Sequence, residues 1–373
     1  MYGPMLHYLV LFLIVFHAGI HLLGTFKAFE LAALPELRLP ISPAAGRMWL
    51  TASLLFFSAG LAFWLQNSWW LVFLGIGIVL SQALIISYWQ GAKFGTISNV
   101  MLILVWIAGF SAYQFEADYR RDVAQVTPAQ SSAEIDLSIL TQEDINHLPD
   151  VVQQYLYFTG SVGQAKVHNF RVKMRGQMRQ APTSEWFDLK SEQYNSLQYP
   201  TRLFFMKANP KGIPTAGYHS YQNSEARMLV KVLSTFPVVD INNALLFKAE
   251  TVTFLNDMCL MAPAMLIDPR ITWEEITADQ VRATFRNGAM QIQAILAFSP
   301  DGQLVNFFSE DRVDINAEQT FLFSTPIYEY RDFGGYCLPA YGEAIWHYPD
   351  TDFPYGRFRI QEVSYNVNIN PAP

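Results

Sequence analysis

The 373-residue chain is 51% hydrophobic and 15% charged, and its charge is unevenly distributed. Residues 1–115 carry four basic and two acidic residues, a net charge of +2, whereas the remainder carries 21 basic and 30 acidic residues, a net charge of −9. An acidic domain lacks the basic surface that binding to phosphate backbones requires, which excludes nucleic acid as a predicted partner. The first part is typical of a membrane domain and the second of a water-soluble one.

Four apolar segments near the N-terminus are long enough to cross about 30 Å of hydrocarbon as helices. They lie at about residues 5–26, 48–66, 69–90 and 97–115. The first segment lacks the basic region and the cleavage site of a signal peptide, so it is predicted to be a helix of the mature chain.

The loops after the first and third segments carry the basic residues Lys27, Arg38, Arg47 and Lys93. Because basic loops tend to stay in the cytoplasm, both chain termini are predicted to lie outside it, with the helices in a bacterial cytoplasmic membrane. Arg120 and Arg121, just after the fourth segment, weakly favour the opposite orientation.

A polar stretch, 116–140, is predicted to be a linker to an outer domain at 141–373. A helix is predicted to begin near Asp150, with an apolar face and Gly160 as its C-terminal cap. The two cysteines, Cys259 and Cys337, are predicted to be buried free thiols or, in an oxidising compartment, a disulfide.

Alternating apolar and polar residues after position 168 predict antiparallel strands. Phe170, Val172 and Met174 alternate with basic residues, which indicates a half-buried strand at 168–178. Tight hairpin turns are predicted at Asn287-Gly288, Asp301-Gly302 and Gly334-Gly335, which makes 280–369 a meander. The last strand changes phase between Ile360 and Val363, so a β-bulge is predicted near Gln361-Glu362.

The stretch 242–267 shows no alternation and predicts one or two buried helices, with Pro263 kinking the segment or starting the second helix. An apolar helix and a sheet with one apolar face each bury the other's surface. The predicted fold is therefore a four-helix membrane bundle followed by an α+β domain, in which a curved antiparallel sheet wraps around an apolar helix.

Several stretches resemble known families. HAGIHLLGTFKAF, LPISPAAG and WQGAKFGTISN resemble a family of bacterial four-helix membrane proteins. LPDVVQQYLYFTGSVG and FGGYCLPAYGEAIWHYPDTDFPYGRFRIQEVSYN resemble a bacterial domain of unknown function. The outer domain also looks like the half-barrels of lipoprotein-carrier and lipoprotein-insertion proteins, which implies a fold that holds acyl chains but does not give the function.

His17 and His21 lie four residues apart, on one face of the first predicted helix. Two imidazoles so placed can share a metal ion, whereas a haem within one subunit would need a histidine on another membrane segment, and those segments contain none. The alternative is that both face the bundle interior and hydrogen-bond to groups such as Ser81, Gln82 or Ser58. No metal or cofactor is predicted.

Lys27, Lys93 and Gln90 are predicted to lie in one layer at the cytoplasmic ends of the helices. A basic pocket at that depth suits the head group of an anionic lipid. The alternative is that both lysines extend to the interface and only set the topology.

Glu250 and Asp257 lie seven residues apart and hence on one face of the apolar helix. A pair of acids can perform general acid–base chemistry or bind a cation, and the alternative is that Arg, Tyr or backbone donors satisfy them. His168, His219 and His347 are scattered, and no nucleophile or metal-ligand motif accompanies the acids.

Aromatic residues are frequent on the predicted strands, and some must line the inside of the curved sheet. They form either an ordinary core or an apolar pocket. The predicted ligand-binding residues are Phe254, Met258, Phe307 and Trp346.

Three functions follow from these features. The first is a membrane-anchored module that binds a lipid or another apolar ligand in envelope lipid or lipoprotein handling. The second is a hydrolase that uses Glu250 and Asp257 outside the cytoplasm. The third is a structural or assembly protein of the envelope.

Overall fold

A computed structural model of the protein describes residues 4–34, 40–131 and 136–368. Arg38 in the first basic loop, and the centre of the predicted linker at 132–135, lie outside the described residues. The chain divides into two compact units, one formed mainly by the residues up to Glu116 and the other mainly by the residues from Ala117 onward.

The first unit contains four long helices that are apolar enough to cross a membrane. The helices are α1 (Pro4–Ala28), α2 (Pro43–Trp64), α3 (Trp69–Ser87), a short α4 (Trp89–Ala92) and α5 (Gly95–Ser131). Helix α2 begins where the sequence provides a cap, because Pro43 occupies the first turn and the Ser42 hydroxyl accepts a hydrogen bond from the Ala45 N–H. The four-helix prediction is confirmed.

The interior of this bundle is closely packed. Ile14, Phe56, Leu74 and Leu102 are fully buried in one apolar cluster. Glycines allow close approaches, since a Cβ atom at Gly24 would lie 2.3 Å from the Trp49 ring. Small residues at such contacts let helices associate in lipid, where no hydrophobic force drives them together.

Helix α5 is longer than the predicted fourth segment, which ended at residue 115. It has 37 residues and therefore spans about 55 Å, more than the hydrocarbon core requires. The stretch predicted to begin a linker is thus helical as far as Ser131. Its composition explains this, because Ala, Gln, Glu and Arg are strong helix formers even where they are polar.

The second unit is built on one antiparallel sheet. Its helices are α6 (Gln142–Ile145), α7 (Asp150–Phe158) and α8 (Ala244–Met261). The strands are β1 (Asn169–Met178), β2 (Phe187–Ser196), β3 (Thr201–Ala208), β4 (Thr215–Gln222), β5 (Glu225–Val232), β6 (Phe236–Ile241), β7 (Ile271–Thr277), β8 (Gln280–Asn287), β9 (Met290–Phe298), β10 (Leu304–Ser309), β11 (Val313–Asp314), β12 (Gln319–Thr320), β13 (Leu322–Ser324), β14 (Ile327–Asp332), β15 (Cys337–Tyr348) and β16 (Thr351–Tyr365).

The strand order is β6-β5-β4-β3-β2-β1-β16-β15-β13-β10-β9-β8-β7, with β14 also paired to β15 and β11 paired to β12 in a separate ribbon. The order has two ends, at β6 and β7, so the sheet is open. Helix α8 contacts strands from both halves of this order, including β4 and β5 on one side and β9 and β10 on the other. The sheet therefore curves around α8, as predicted.

The local predictions in this unit are confirmed. The turns at Asn287-Gly288, Asp301-Gly302 and Gly334-Gly335 each connect antiparallel neighbours. In the pairing of β1 with β16, Lys173 lies opposite Glu362 and Met174 opposite Ile360, so Gln361 is the extra residue of a bulge.

The predicted helices also form. Gly160 follows α7 with φ of 68°, a conformation that glycine adopts without strain. Pro263 begins a second, 3-10 helix, at Pro263–Ile267. The Tyr155 hydroxyl donates to the carbonyl of Cys259 at 2.7 Å, and this bond holds the end of α8 against α7.

Candidate functional site

Helix α8 presents two different faces to its surroundings. One face packs into the core, where Phe254, Leu255 and Met258 are fully buried against strands β8–β10. The other face carries residues that recur every three or four positions and line a cavity: Leu246, Ala249, Glu250, Thr253, Asn256, Asp257 and Leu260. This spacing is that of one helical stripe, so the helix separates a packed core from an open space.

The cavity has a volume of about 920 Å³. It lies between α8 and the inner face of the sheet, and most of its wall is apolar. Five methionines contribute to this wall: Met174, Met178, Met206, Met228 and Met261. Aromatic rings line it at Phe204, Phe323, Trp346, Phe353 and Phe358. The volume falls within the range of small-molecule sites, and methionine side chains adapt to ligands of varied shape.

A charged cluster is set into this wall, and Arg202 of β3 is at its centre. The Arg202 guanidinium donates from Nε to Asp257 Oδ2 at 2.7 Å and from Nη1 to Glu250 Oε2 at 3.0 Å. All three side chains are more than nine-tenths buried. The predicted acid pair is therefore held by one arginine.

Amide side chains on β2 complete the shell around Asp257. Gln193 Nε2 donates to Asp257 Oδ2 at 2.6 Å, and Asn195 Nδ2 donates to the same oxygen at 3.3 Å. The side-chain oxygen of Gln193, Oε1, in turn accepts a hydrogen bond from Arg202 Nη2 at 3.2 Å. Three donors, from Gln193, Asn195 and Arg202, therefore converge on the Oδ2 atom of Asp257.

The two carboxyl groups differ in their electrostatics. Burial disfavours ionisation of Glu250, but the charges of Arg202 and His219 outweigh burial and lower its pKa to about 2. For Asp257 burial outweighs Arg202 and the amide donors, and the pKa is raised. The cluster thus takes up a proton at Asp257 before it does so at Glu250, and Glu250 is a poor general acid.

His219 is the one histidine of the three that meets the acids. Its Nδ1 lies 3.1 Å from Glu250 Oε1, and its ring also lines the cavity. Among the described residues no hydroxyl or thiol hydrogen-bonds to this imidazole. His347 instead lies between Ser324 and Asp352, and His168 contacts the Asp136 carbonyl.

One of the four predicted ligand-binding residues lies at the cavity, and the other three lie elsewhere. Trp346 lines the cavity. Phe254, Met258 and Phe307 do not line it in the described chain, because they lie in the core on the opposite side of α8. The assignment of these three residues to a ligand stays a prediction, and the cavity wall is formed by the other face of α8.

Arg202, Gln193 and Asn195 were not predicted from the sequence. One signal for Arg202 exists in the pattern of β3, where Arg202 shares its face with Phe204 and Met206. A charge in phase with apolar residues on a strand indicates a buried charge, which requires a partner. Gln193 and Asn195 offer a weaker signal, because they are uncharged and share their face of β2 with Ser191 as well as with Phe187 and Leu189.

The histidines of α1 lie inside the bundle. His17 Nε2 lies 2.9 Å from Asn99 Oδ1 and 3.3 Å from Ser81 Oγ, so it connects α1 to α3 and α5. His21 Nδ1 lies 3.0 Å from the His17 carbonyl. The described residues contain no group of three or more His, Cys, Asp or Glu arranged to hold a metal. Of the named partners, Ser81 is observed.

The predicted head-group residues lie at or near helix ends. Lys27 is half-buried in the last turn of α1, whereas Gln90 and Lys93 are exposed around α4. The Lys93 ammonium lies 5.4 Å from the centre of the Phe94 ring. The shared lipid site at these residues stays a prediction.

Both cysteines are free thiols. Cys259 lies on α8 and is buried, whereas Cys337 lies on β15 and is only half-buried. Burial raises the pKa of Cys259 well above its ordinary value, so this thiol is inert.

Comparison with solved structures finds distant similarities. A DUF1329 family protein from Desulfovibrio piger is 7% identical, with a TM-score of 0.36 over 62% of this chain and 95% of that one. A LolA superfamily protein from Nitrosomonas europaea is 8% identical, with a TM-score of 0.34 over 58% of this chain and 94% of that one. At these scores the similarities carry no argument about function.

Comparison with curated proteins finds no match. A family model matches residues 138–358, which are more than half of the chain and include every residue of the cavity cluster described above. The resemblance of the outer domain to a domain of unknown function is thereby confirmed. The chain belongs to DUF6544, a family of unknown function.

Proposed function

We propose that the second unit binds a lipid or another apolar ligand, and that the four helices anchor it in the bacterial cytoplasmic membrane. The observation that carries this proposal is the apolar cavity of about 920 Å³ between α8 and the sheet. An envelope assembly protein needs only a solid core and an exposed patch. A cavity of this size is instead the feature that a binding module requires.

The lining chemistry supports an apolar ligand. The charged side chains of the cluster mostly satisfy one another, so they leave the surrounding Met, Val and aromatic surface free to contact hydrocarbon. Burying an acyl chain there would contribute roughly 25 cal/mol for each Å² of apolar surface removed from water. Envelope lipid or lipoprotein handling is the process in which such a module would act.

A cavity-filling variant tests this proposal. Thr253 lines the cavity from the middle of α8, and Thr253→Phe adds an aromatic ring there. The matched control is Leu245→Phe, which places the same ring at an exposed position of the same helix. Native mass spectrometry of the full chain in mild detergent is expected to show retained lipid for the wild type and for Leu245→Phe, and little for Thr253→Phe. Equal retention by all three would refute the cavity as the binding site.

The proposed orientation places the outer unit outside the cytoplasm, and it rests on the basic loops. Single cysteines at Ala44, just inside α2, and at Glu225, the first residue of β5, test it in a background without Cys259 and Cys337. We expect an impermeant thiol reagent to label the Glu225→Cys variant in intact spheroplasts and the Ala44→Cys variant only after permeabilisation. The reverse pattern would overturn the orientation.

A second candidate function is hydrolysis, and the Glu250–His219 contact favours it. A carboxylate that orients an imidazole in a cavity is the arrangement of a general base. The base would be His219 rather than the predicted acid pair, with water as nucleophile. Release of p-nitrophenol from a p-nitrophenyl acyl ester by the wild type, abolished in His219→Asn, would establish this activity. Equal slow release by both proteins excludes His219 as a base for this probe.

A further inference from the structure

Arg312, in the loop between β10 and β11, also lines the cavity. Its guanidinium carbon lies 3.9 Å from the centre of the Phe323 ring and 5.4 Å from that of Trp346. Both rings line the same cavity. This stacking fixes the plane of the guanidinium without using its N–H donors, because a cation–π contact is made by the face of the group.

No hydrogen bond or ion pair joins Arg312 to any residue in the described parts of the chain. The other two arginines of the cavity wall are different. Arg202 donates from each of its three nitrogens, to Asp257, Glu250 and Gln193. Arg179 donates to the carbonyls of Pro354 and Pro182. Arg312 is therefore the arginine of this wall whose donors remain available to a ligand.

Two acids close to Arg312 in sequence already have partners. Asp311 Oδ1 accepts from Lys248 Nζ at 2.7 Å, and Asp314 Oδ2 accepts from the Tyr348 hydroxyl at 2.7 Å. The charge of Arg312 contributes to the lowered pKa of Glu250, but the two carboxylate oxygens of Glu250 bind Arg202 and His219. A partner for the Arg312 donors must come from outside this set.

We propose that Arg312 binds the anionic head group, a carboxylate or a phosphate, of an acyl ligand whose chain occupies the cavity. This inference rests on the proposed function, because it assigns the polar end of the same ligand. A half-buried guanidinium has lost part of its hydration, and its planar fork of donors matches a carboxylate or phosphate in two parallel hydrogen bonds.

Three probes with the same length of hydrocarbon chain separate the contribution of the head group from that of the hydrocarbon: palmitate, hexadecyl phosphate and the uncharged hexadecanol. Their binding is measured by scintillation proximity on the full chain held in amphipol. The wild type is expected to prefer at least one anion over hexadecanol by roughly tenfold or more, the range of a hydrogen bond to a charged group. Which anion is preferred distinguishes a carboxylate from a phosphate site.

Variants of Arg312 show whether this residue causes the preference for an anionic probe. Arg312→Gln is expected to lose the preference and keep its affinity for hexadecanol, whereas Arg312→Lys, which keeps the charge, retains part of the preference. Arg286→Gln is the matched control, because it removes one positive charge at an exposed position of β8 outside the cavity wall.

The outcomes that overturn the proposals are distinct. Equal binding of all three probes by the wild type overturns the anion site and leaves the apolar-ligand function standing. A parallel loss of all three probes in Arg312→Gln and Arg312→Lys also overturns it, because Arg312 would then shape the cavity and not bind the head group. Failure of the wild type to bind any probe would overturn the proposed function itself.

Discussion

Arg202 Nε lies 2.7 Å from Asp257 Oδ2, and this contact joins β3 to α8 in the interior of the outer unit. Glu250 takes a second donor of the same guanidinium, at 3.0 Å. Two acids on a helix and one arginine on a strand thus fix the rotation of α8. The helix keeps its apolar stripe toward the core and its mixed stripe toward the cavity.

Removing Arg202 is expected to destabilise the outer unit strongly. Arg202→Met leaves two buried carboxylates without their cation, which costs about 3–5 kcal/mol of unfolding free energy. Arg171→Met is the control, since Arg171 is also a strand arginine with an acid partner, Glu362, but that pair is half exposed and contributes about 1 kcal/mol or less. Denaturant unfolding of the full chain in detergent measures both. Similar losses for the two variants would contradict the central role of Arg202.

Glu250 makes the stability of the outer unit depend on acid pH. Its pKa falls from 4.5 in the unfolded chain to about 2 in the folded one. The stabilisation by the ionised carboxylate is therefore complete above pH 4.5 and is lost as the pH falls towards 2. Its size is on the order of 3 kcal/mol.

The comparison of the wild type with Glu250→Gln isolates the stabilisation that the ionised Glu250 carboxylate provides. We expect the difference in their unfolding free energies to be constant above about pH 5 and to shrink steadily below pH 4.5. Unfolding curves at a series of pH values measure it. A difference that does not change between pH 5 and pH 2.5 would show that Glu250 has an ordinary pKa in the folded protein.

Gly176 allows β1 to approach β16 closely. A Cβ atom there would lie 2.4 Å from the backbone oxygen of Arg357, which cannot move without breaking the sheet. Gly176→Ala is expected to cost roughly 1–3 kcal/mol. At Gly217 on β4 the nearest atoms belong to the flexible side chain of Met206, at 2.8 Å, so Gly217→Ala is expected to cost less. The ranking is checked by chemical denaturation, and a reversed order would contradict it.

Asn99 connects three helices in the membrane unit. Its Oδ1 receives contacts from His17 and Ser81, and its Nδ2 donates to Gln82 Oε1 at 2.9 Å. Asn99→Leu is expected to lower the stability of the bundle by about 0.6–1.7 kcal/mol, the range for side-chain hydrogen bonds between membrane helices.

Ser87→Leu is the control for this prediction, because the Ser87 hydroxyl bonds only to the Ala83 carbonyl of its own helix. Thermal unfolding of both variants in the same detergent makes the comparison. A loss for Ser87→Leu as large as that for Asn99→Leu would mean that the hydrogen bonds between helices contribute nothing.

Much of the fold could be predicted because its signals are local. Hydropathy identified the four helices that are apolar enough to cross a membrane, and dipeptides that contain glycine identified the turns of the meander. The bulge at Gln361 was visible as a one-residue change of phase in a single strand. In each case a few neighbouring residues contain all the information that the prediction uses.

The site could be predicted only in part because it joins distant elements. The pairing of Glu250 with Asp257 follows from helical spacing, but their shared partner Arg202 lies 48 residues before Glu250 along the chain. Which stripe of α8 faces the cavity depends on this contact, and so helical spacing alone did not separate Phe254 and Met258 from the residues of α8 that line the cavity. Arg312, on a connecting loop, has no periodic context that could mark it.

The open edges of the sheet at β6 and β7 affect how the cavity responds to its contents. In a closed barrel, a change of diameter would strain the hydrogen bonds between the strands that close it, since strand number, tilt and stagger are coupled. An open sheet can flatten or coil about α8 while every ladder between adjacent strands stays intact. The cavity can therefore widen or narrow with the size of the ligand that it encloses.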